Sequence, residues 1–531
     1  METAARAEPT SIWHPLRQPA FRALWLAGGI YFIGNAMQST AAAWMMLEIT
    51  GSSFLSALVQ TAVFLPMFIL VLPAGVLADI ADRRRLILGS LIVQAVSSAL
   101  LAVLLLAGWA GPGSLLFFIF VSGCCTALLS PSWNSTVVDA VPRDDLPQAI
   151  TAVGIAYNAA RAAGPALAGL VFSVIGGAWN FLFAVAGTVW HIVAIRRWPP
   201  SPHPPSKLPP ERLWGGTLAG LRFAWHSHTI LSQMVRTTAF SAAGSALWAL
   251  LPVIGQRQLG LGAAGFGLLM ACLGSGAVAA GLVIGRVRAR VGLEMLIGVC
   301  CAVYAAVMLV AALSSLRWLV YAALVFGGAA WMSAMSTFNT ATQTSVPPWV
   351  RARAAAMHTL SALGSFALGS ALWGAMSGLA GLPLTLCGAA IAMAAGMLLA
   401  RPFPLRMGQT SDVTPATSWD ELFVTQEPDP EAGPVAVEIG YRIDPQDAEV
   451  FLDTAMLLRG PRRRDGATFW RMYRDLANPG LFVERFIVGS WADYLHQRAR
   501  ATLADQEQEA KVRAFLLPGE LVTMKHYLAE R

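Results

Sequence analysis

Between Phe21 and Ala400 the chain runs through one apolar stretch after another, most of them close to 20 residues long and separated by short polar or glycine-rich gaps. Each run is long enough to cross a bilayer as a helix at 1.5 Å per residue. Such a chain cannot fold around one soluble core, because there is no aqueous surface for so many apolar faces to hide from. Of its 531 residues 56% are hydrophobic and 13% charged, where a soluble domain carries about 25% charged residues. The pattern predicts an all-α polytopic membrane protein with twelve spans, near 21–46, 54–78, 86–107, 114–134, 148–175, 179–198, 230–254, 264–285, 292–313, 317–338, 354–378 and 381–400. No cleavable signal pattern precedes the first span.

The charges divide the chain. Residues 1–401 carry a net +12 and residues 402–531 a net −5, together the +7 of the whole. The basic excess thus belongs to the membrane part, where it reports topology rather than nucleic-acid binding. One set of loops holds Arg83–Arg85, Arg143, Arg196, Arg197, Lys207, Arg212, Arg222, Arg286, Arg288, Arg290, Arg351 and Arg353. The other set reads GWAGPGS, GGAWN and GLAGLP, and adds only Glu48, Arg257 and Arg317. The basic set is expected in the cytoplasm, which places both termini inside a plasma (inner) membrane. Tryptophans such as Trp109, Trp179, Trp198, Trp318 and Trp349 sit near span ends, as interface anchors do. The six cysteines lie inside apolar runs without metal-ligand spacing and read as packing residues; no metal and no cofactor is expected.

A proline-rich stretch, RRWPPSPHPPSKLPPERLWGG, separates two sets of six spans and reads as a semi-rigid linker. The sets resemble each other at one offset. Asn134 matches Asn339, Val141 matches Val346, Pro142 matches Pro347, Gly164 matches Gly369 and Gly169 matches Gly374, each pair 205 residues apart. The expected organisation is a six-span half at 1–198, a linker at 199–229, a second half at 230–401, a polar linker at 402–433 and a small domain at 434–531. Parallel six-plus-six repeats are an architecture of secondary transporters.

The loop between spans 2 and 3 reads AGVLADIADRRRLIL. Gly75, Leu77, Ala78, Asp79 and Arg83–Arg85 resemble the G-x-L-A-D-R-x-G-R-R signature of the major facilitator superfamily, with Ile80 in place of the usual arginine and Asp82 where glycine is common. Gly75, Asp79, Asp82, Arg83, Arg84 and Arg85 are candidates for a conformational latch. A carboxylate at Asp79 would cap a neighbouring helix and pair with arginine in one state of the carrier. The competing reading is that these charges only enforce topology. Within the superfamily the stretches LPAGVLADIADRRRLIL, VPRDDLPQAITAVGIAYNAARAAGPALAGLV and NTATQTSVPPWVRARAAAMHTL resemble the enterobactin-exporter-like and macrolide-efflux-like group, the transmembrane secretion effectors. That resemblance implies export of a small molecule, such as a siderophore or antibiotic-like compound, by proton antiport. It also makes Gly164, Pro165 and Gly169 a packing motif where spans 5 and 8 would rock past each other. Asp145 with Pro147 and Gln148 reads as the start of span 5.

Ionisable and polar groups inside spans are functional candidates. Arg161 in span 5 needs either a carboxylate or an anionic substrate group, with a structural pair to Asp139 as the alternative. Glu48 and His358 are coupling candidates, and His191 a further titratable group. Asn35, Gln38, Tyr157, Asn158, Asn339 and Gln343 are candidates to line a cavity, with interhelical hydrogen bonding as the alternative. No ATP-binding motif is present, so transport would draw on a gradient.

The tail changes period. VAVEIGYRI alternates, a helix with Phe451, Leu452, Ala455 and Leu458 follows, then two strands around Asn478-Pro479-Gly480, then a helical segment from Trp491. The β-α-β-β-α order suggests a small cytoplasmic α+β ferredoxin-like domain. It resembles the antibiotic-biosynthesis-monooxygenase-like domain carried by some members of the exporter group, which implies possible dimerisation by sheet contacts. Trp470, Tyr473, Trp491 and His496 are pocket candidates there, against core packing. The run Arg459–Arg464 reads either as a lipid-headgroup contact or as a solvated loop. No nucleotide loop or nucleophile–base pair marks the tail as an enzyme. A membrane sensor with a transporter fold, or a transporter fused to a substrate-modifying domain, are the alternatives to a plain exporter.

Overall fold

The computed structural model describes residues 14–80, 82–142, 145–198, 225, 227–347, 351–408, 414 and 427–530. The proline-rich stretch and most of the second linker lie outside these residues. Twelve long helical elements run in chain order: α1 Pro19–Thr50, α2 Ser53–Ile80, α3 Arg83–Leu106, α4 Pro112–Asp139, α5 Leu146–Ile175, α6 Ala178–Arg197, α7 His228–Val253, α8 Ala263–Arg290, α9 Leu293–Leu313, α10 Arg317–Thr344, α11 and α12 Leu382–Gly396. α7 ends in a π-helical turn, Ile254–Gln258, and α11 is built from Arg351–Thr359, a π-helical turn Leu360–Gly364 and Ser365–Ala380. Eleven of these elements are long and apolar enough to span a membrane; α1, with 32 residues, is the longest but more polar. The protein is a multi-pass membrane protein.

Local chemistry sets the ends. Proline at the first turn starts α1, α4, α5 and α12 where its missing N–H costs nothing. α1 stops at Gly51, whose φ of +62° suits glycine and lets its N–H close on Leu47 O at 2.8 Å. Asp82 caps α3 by accepting from the Arg85 N–H at 3.0 Å. Asp145 behaves differently from its expected capping role. It makes no side-chain cap bond to α5. Its carboxylate instead accepts from His14 at 3.0 Å and Gln18 at 3.4 Å, tying the segment before α1 to the start of α5.

Contact clustering divides the chain into two units. The first holds most of the membrane helices (Met1–Lys207, Arg236–Thr337 and Thr359–Ala400) and shows the repeat directly. Gly164 on α5 meets α1: a Cβ there would lie 2.6 Å from Ala36 Cβ. Its repeat partner Gly369 on α11 meets α7 at Ala242 and Ser245. Gly169 on α5 meets α8, where an added Cβ would lie 2.5 Å from Ala263 O and 2.9 Å from Gly267 Cα, while Gly374 on α11 meets α2 at Phe54 and Ala57. The fifth helix of each half therefore packs on the first helix of its own half and the second helix of the other half. This is the contact pattern of a pseudo-two-fold.

The second unit holds residues 208–235, 338–358 and 401–531. A strap after α12 binds the ends of α7 and α10 there: Gln233 Nε2 donates to Ser345 Oγ and Arg406 O, both at 3.2 Å, and Gly408 N–H donates to Ser345 Oγ at 2.9 Å. The tail contains β1 Val435–Arg442, α13 Ala448–Ala455, α14 Arg459–Asp465, β2 Phe469–Arg474, β3 Leu481–Val488, α15 Trp491–Arg500, α16 Leu503–Arg513 and β4 Thr523–Leu528. The sheet is antiparallel in the order β2-β3-β1-β4, a ferredoxin-like topology. Val435, Val437, Ile439 and Tyr441 of β1 face the core with Phe451, Phe482, Phe486 and Trp491, as their alternation predicts. Leu452 departs from its expected stripe and is 37% exposed. The expected single C-terminal helix is two helices, because Thr502 and Asp505 form a capping box that restarts the chain at α16. β4 completes the sheet beyond the elements the sequence suggested.

Candidate functional site

A cavity of about 830 Å³ lies between the two halves of the first unit. Its walls differ. The first half supplies nearly all the polar groups, Asn35, Gln38, Ser39, Thr40, Gln60, Ser122, Thr126, Ser130, Tyr157 and Arg161, beside aromatic and apolar side chains such as Phe32, Phe64, Met67 and Trp133, while the second half supplies Trp248, Met270, Trp331, Met332, Met335 and Phe366 with one hydroxyl, Ser241. Asn35, Gln38, Tyr157 and Arg161 thus converge as the sequence suggested, because α1 and α5 lie side by side across the tight contact at Gly164. Pro165 also lines the cavity, and an added Cβ on Gly267 of α8 would lie 2.7 Å from its carbonyl oxygen.

The polar wall is held by a buried network the sequence did not reveal. Tyr31 OH donates to Gln94 Oε1 at 2.9 Å, Gln94 Nε2 donates to Ser122 Oγ at 3.1 Å and to Asn35 Oδ1 at 3.5 Å, and Ser98 Oγ donates to Gln38 Oε1 at 2.8 Å. A buried glutamine was the available signal. It was passed over although Gln94 stands in the apolar run of α3, with Ser90, Ser97 and Ser98 close by. The Arg161 guanidinium lies 5.5 Å from the Trp248 ring and 6.0 Å from the Tyr157 ring. Among the described residues that line the cavity none is acidic.

Other candidates fall elsewhere. Asn158 donates to Gly154 O of its own helix at 2.9 Å. Glu48 is exposed near the end of α1 and accepts from Trp44 Nε1 at 2.7 Å. Asn339 and Gln343 hydrogen-bond each other at 3.0 Å in the second unit. His358 is buried in that unit with no partner on Nδ1. His191 is buried with both ring nitrogens unpartnered, its ring 4.7 Å from that of Trp133 and 5.3 Å from that of Tyr31. Gly75, Asp79 and Asp139 lie on helix backbones, but their side chains are outside the described residues, and with them the Asp79 latch and an Arg161–Asp139 pair. The rest of the latch set is visible: Arg85 Nε lies 3.8 Å from Asp82 Oδ2, and Arg84 Nη2 donates to Arg196 O at 2.5 Å. A half-buried ion pair went unread in the sequence. Arg236 of α7, 4% exposed, meets Glu294 of α9 at 3.1 Å.

The halves touch along one end of the bundle. Trp44 stacks on Phe266 at 5.2 Å, Thr61 Oγ1 donates to Ala367 O at 2.9 Å, Phe64 meets Phe366 at 4.9 Å, and Arg257 donates to Gly51 O. With Gly169 and Gly374 these contacts run from the uncharged-loop ends of α2, α5, α8 and α11 towards their midpoints, where Gly274 meets Ala162 and Gly364 meets Phe68.

The tail has a dense interior. Glu484, fully buried, accepts from Trp470 Nε1 at 2.8 Å, Arg462 Nε at 3.0 Å and Tyr441 OH at 3.0 Å. Arg462 also meets Glu509 at 2.8 Å, and Arg464 meets Asp465 and Asp505 at 2.7 Å each. Both expectations for the Arg459–Arg464 run are thus corrected: two of its arginines turn inward and pair. Burial pushes the Tyr441 phenol well up, aided by the Glu484 charge. Of the expected pocket residues, Trp470 and Trp491 are core while Tyr473 and His496 are exposed. The remaining space between sheet and helices, bordered by Tyr441, Arg462 and Tyr494, is about 30 Å³, the share of one water molecule.

A family model described as transmembrane secretion effector matches residues 10–531. Enterobactin exporters EntS of Shigella boydii serotype 4 and Escherichia coli O1:K1 are 28% identical over 374 residues, covering 67% of this chain and 85% of theirs. A bacterial homologue of the human lysosomal transporter Spinster, in an inward-facing and unoccupied conformation, superposes with a TM-score of 0.55 at 18% identity, covering 73% of this chain and 98% of its own. The nucleoside transporter NupG does so with a TM-score of 0.60 at 12% identity, covering 72% and 98%; at these identities the likeness is one of fold. The chain belongs to the transmembrane secretion effector family and is a secondary transporter of the major facilitator type.

Proposed function

We propose that the protein exports a small amphipathic molecule from the cytoplasm by alternating access, driven by proton entry. The observation that carries this reading is the cavity between the halves together with the contacts that close it from the uncharged-loop side. The basic loops argue that this closed side is the outer one, so the cavity faces the cytoplasm with both termini inside. Gly169 and Gly374 act as the two bearings of the motion, since only residues without a Cβ let the backbones of opposite halves meet. The latch at Asp79 and Arg83–Arg85 holds the cytoplasmic side when the carrier turns outward. Relatives named enterobactin exporters support export and a metabolite of siderophore type. Proton coupling rests on the family relationship and is the finest part of the proposal. The tail is a cytoplasmic accessory domain, and pairing of tails through the free face of the sheet would make the carrier a dimer.

The test is transport by oriented vesicles. Inside-out vesicles containing the protein should accumulate the exported compound when the lumen is acid, and collapse of the pH difference should stop it. Accumulation that persists after the collapse would remove proton coupling. Accumulation only in right-side-out vesicles would reverse the direction.

A further inference from the structure

The cavity's polar wall holds amides fixed in orientation. The carbonyl oxygens of Asn35 and Gln38 accept from Gln94 and Ser98. Their NH₂ groups have no partner among the described residues and are donors available to a ligand. Trp133, another wall residue, has a buried indole N–H without a partner, and an orphaned donor of this kind costs free energy until something accepts from it. Arg161 adds a permanent positive charge. The Trp248 and Tyr157 rings lie beside it, and no acidic side chain among the described wall residues neutralises it. Across the cavity Trp248, Trp331 and Phe366 present flat apolar surface, with Met270, Met332 and Met335 as adaptable filler.

A polar wall with one cation that no described acidic wall residue neutralises, facing aromatic side chains of the second half, defines a ligand chemistry. We propose that the cavity binds an amphipathic organic anion with a flat aromatic body, its anionic group on Arg161, its acceptor edge on Asn35 and Gln38, and its rings against Trp248, Trp331 and Phe366. The inference rests on the export reading only for its use of this cavity as the substrate site. A neutral analogue loses the charge-assisted bond to Arg161. A cationic analogue meets Arg161 as a like charge, and no described wall residue is acidic to offset that.

The probes are 1-pyrenebutyrate, its uncharged amide and the matching pyrenebutyl trimethylammonium, with palmitate as a non-aromatic anionic competitor. The full-length protein in zwitterionic nanodiscs is titrated with each, and energy transfer from tryptophan to pyrene is read against empty nanodiscs. The expected result is at least tenfold tighter binding of pyrenebutyrate than of its amide, weaker binding still of the cation, and poor competition by palmitate. Arg161→Gln should erase the difference between anion and amide. Arg161→Lys, which keeps the charge, should retain it, and Trp248→Leu should narrow the advantage over palmitate. If neither Arg161 variant folds, the wild-type ranking decides alone. Equal binding of anion and amide, or preference for the cation, overturns the proposal. The vesicle assay separates the two readings: anion preference without transport leaves the ligand class standing and removes export, while transport without charge preference does the reverse.

Discussion

The two halves of the membrane body share their backbone contacts and differ in their chemistry. Gly164 and Gly369 each seat a fifth helix on a first helix, and Gly169 and Gly374 each seat it on the opposite half. The side chains turned to the cavity do not repeat: the amides, the guanidinium and all but one of the hydroxyls come from the first half, while the second half is almost wholly aromatic and apolar. Buried polar contacts differ too. The first half is tied by the neutral Tyr31–Gln94–Ser122 chain, the second by the Arg236–Glu294 ion pair. On the proposed alternating-access reading, the repeated contacts are the two bearings of the motion, and the unlike walls suit a ligand with two unlike faces.

That division is broken most forcefully at the bearings. Gly169→Val and Gly374→Val should each cost the closed state more than about 3 kcal/mol, because the obstruction at Gly169 is backbone and cannot rotate away. Both variants should lose most transport in the vesicle assay, and by similar factors. A large loss at one site with none at the other would end the claim of equivalent bearings.

The tail extends the comparison to a region where buried charge is the rule. Glu484→Gln leaves Arg462 without its best-buried partner and replaces an acceptor of three hydrogen bonds by an amide. The expected loss is about 3 kcal/mol of tail stability, seen as faster hydrogen exchange in β1 and β3 of the full-length protein while the membrane helices exchange as before. In the membrane body Glu294→Gln should cost less, about 1–2 kcal/mol, because Glu294 is 38% exposed and its charge is partly screened. Gln94→Leu should disturb ligand affinity more than stability, since it releases Asn35 Oδ1 and Ser122 on the polar wall. Thermal unfolding and probe titration of the two variants, read together, test whether the first-half network serves the ligand and the second-half pair serves the fold.

The spans, the repeat and the tail's first three strands were legible because apolar length and period-two alternation are one-dimensional signals. Arg161, Asn35, Gln38 and Tyr157 were legible because a polar group in an apolar run stands out. Gln94 and Arg236 had the same signal and were passed over, one inside an apolar helix and the other near the start of α7. Trp248, Trp331 and Phe366 carried no signal: an aromatic residue reads alike whether it faces lipid, core or cavity. β4 was missed although Val522, Met524 and His526 alternate, because the preceding segment reads as one long helix until Thr502 and Asp505 are seen to restart it.

His526 gives the smallest effect and the finest contrast between tail and membrane body. Its ring is half-buried behind α15, with Tyr494 OH 2.6 Å from Nε2, Trp491 alongside and Arg498 the nearby cation. Burial, and secondarily the Arg498 charge, holds its pKa below the ordinary 6.5. The unfolded chain therefore takes up a proton that the folded tail resists. The stability this contributes is present above pH 6.5 and is lost as the pH falls below it. Tail unfolding in the full-length protein should become easier between pH 7.5 and 5.5 by less than about 1 kcal/mol, since the group is only half-buried. His526→Gln should flatten that part of the profile. A profile that stays equally steep in His526→Gln would show that the tail's pH response does not come from the His526 ring behind α15.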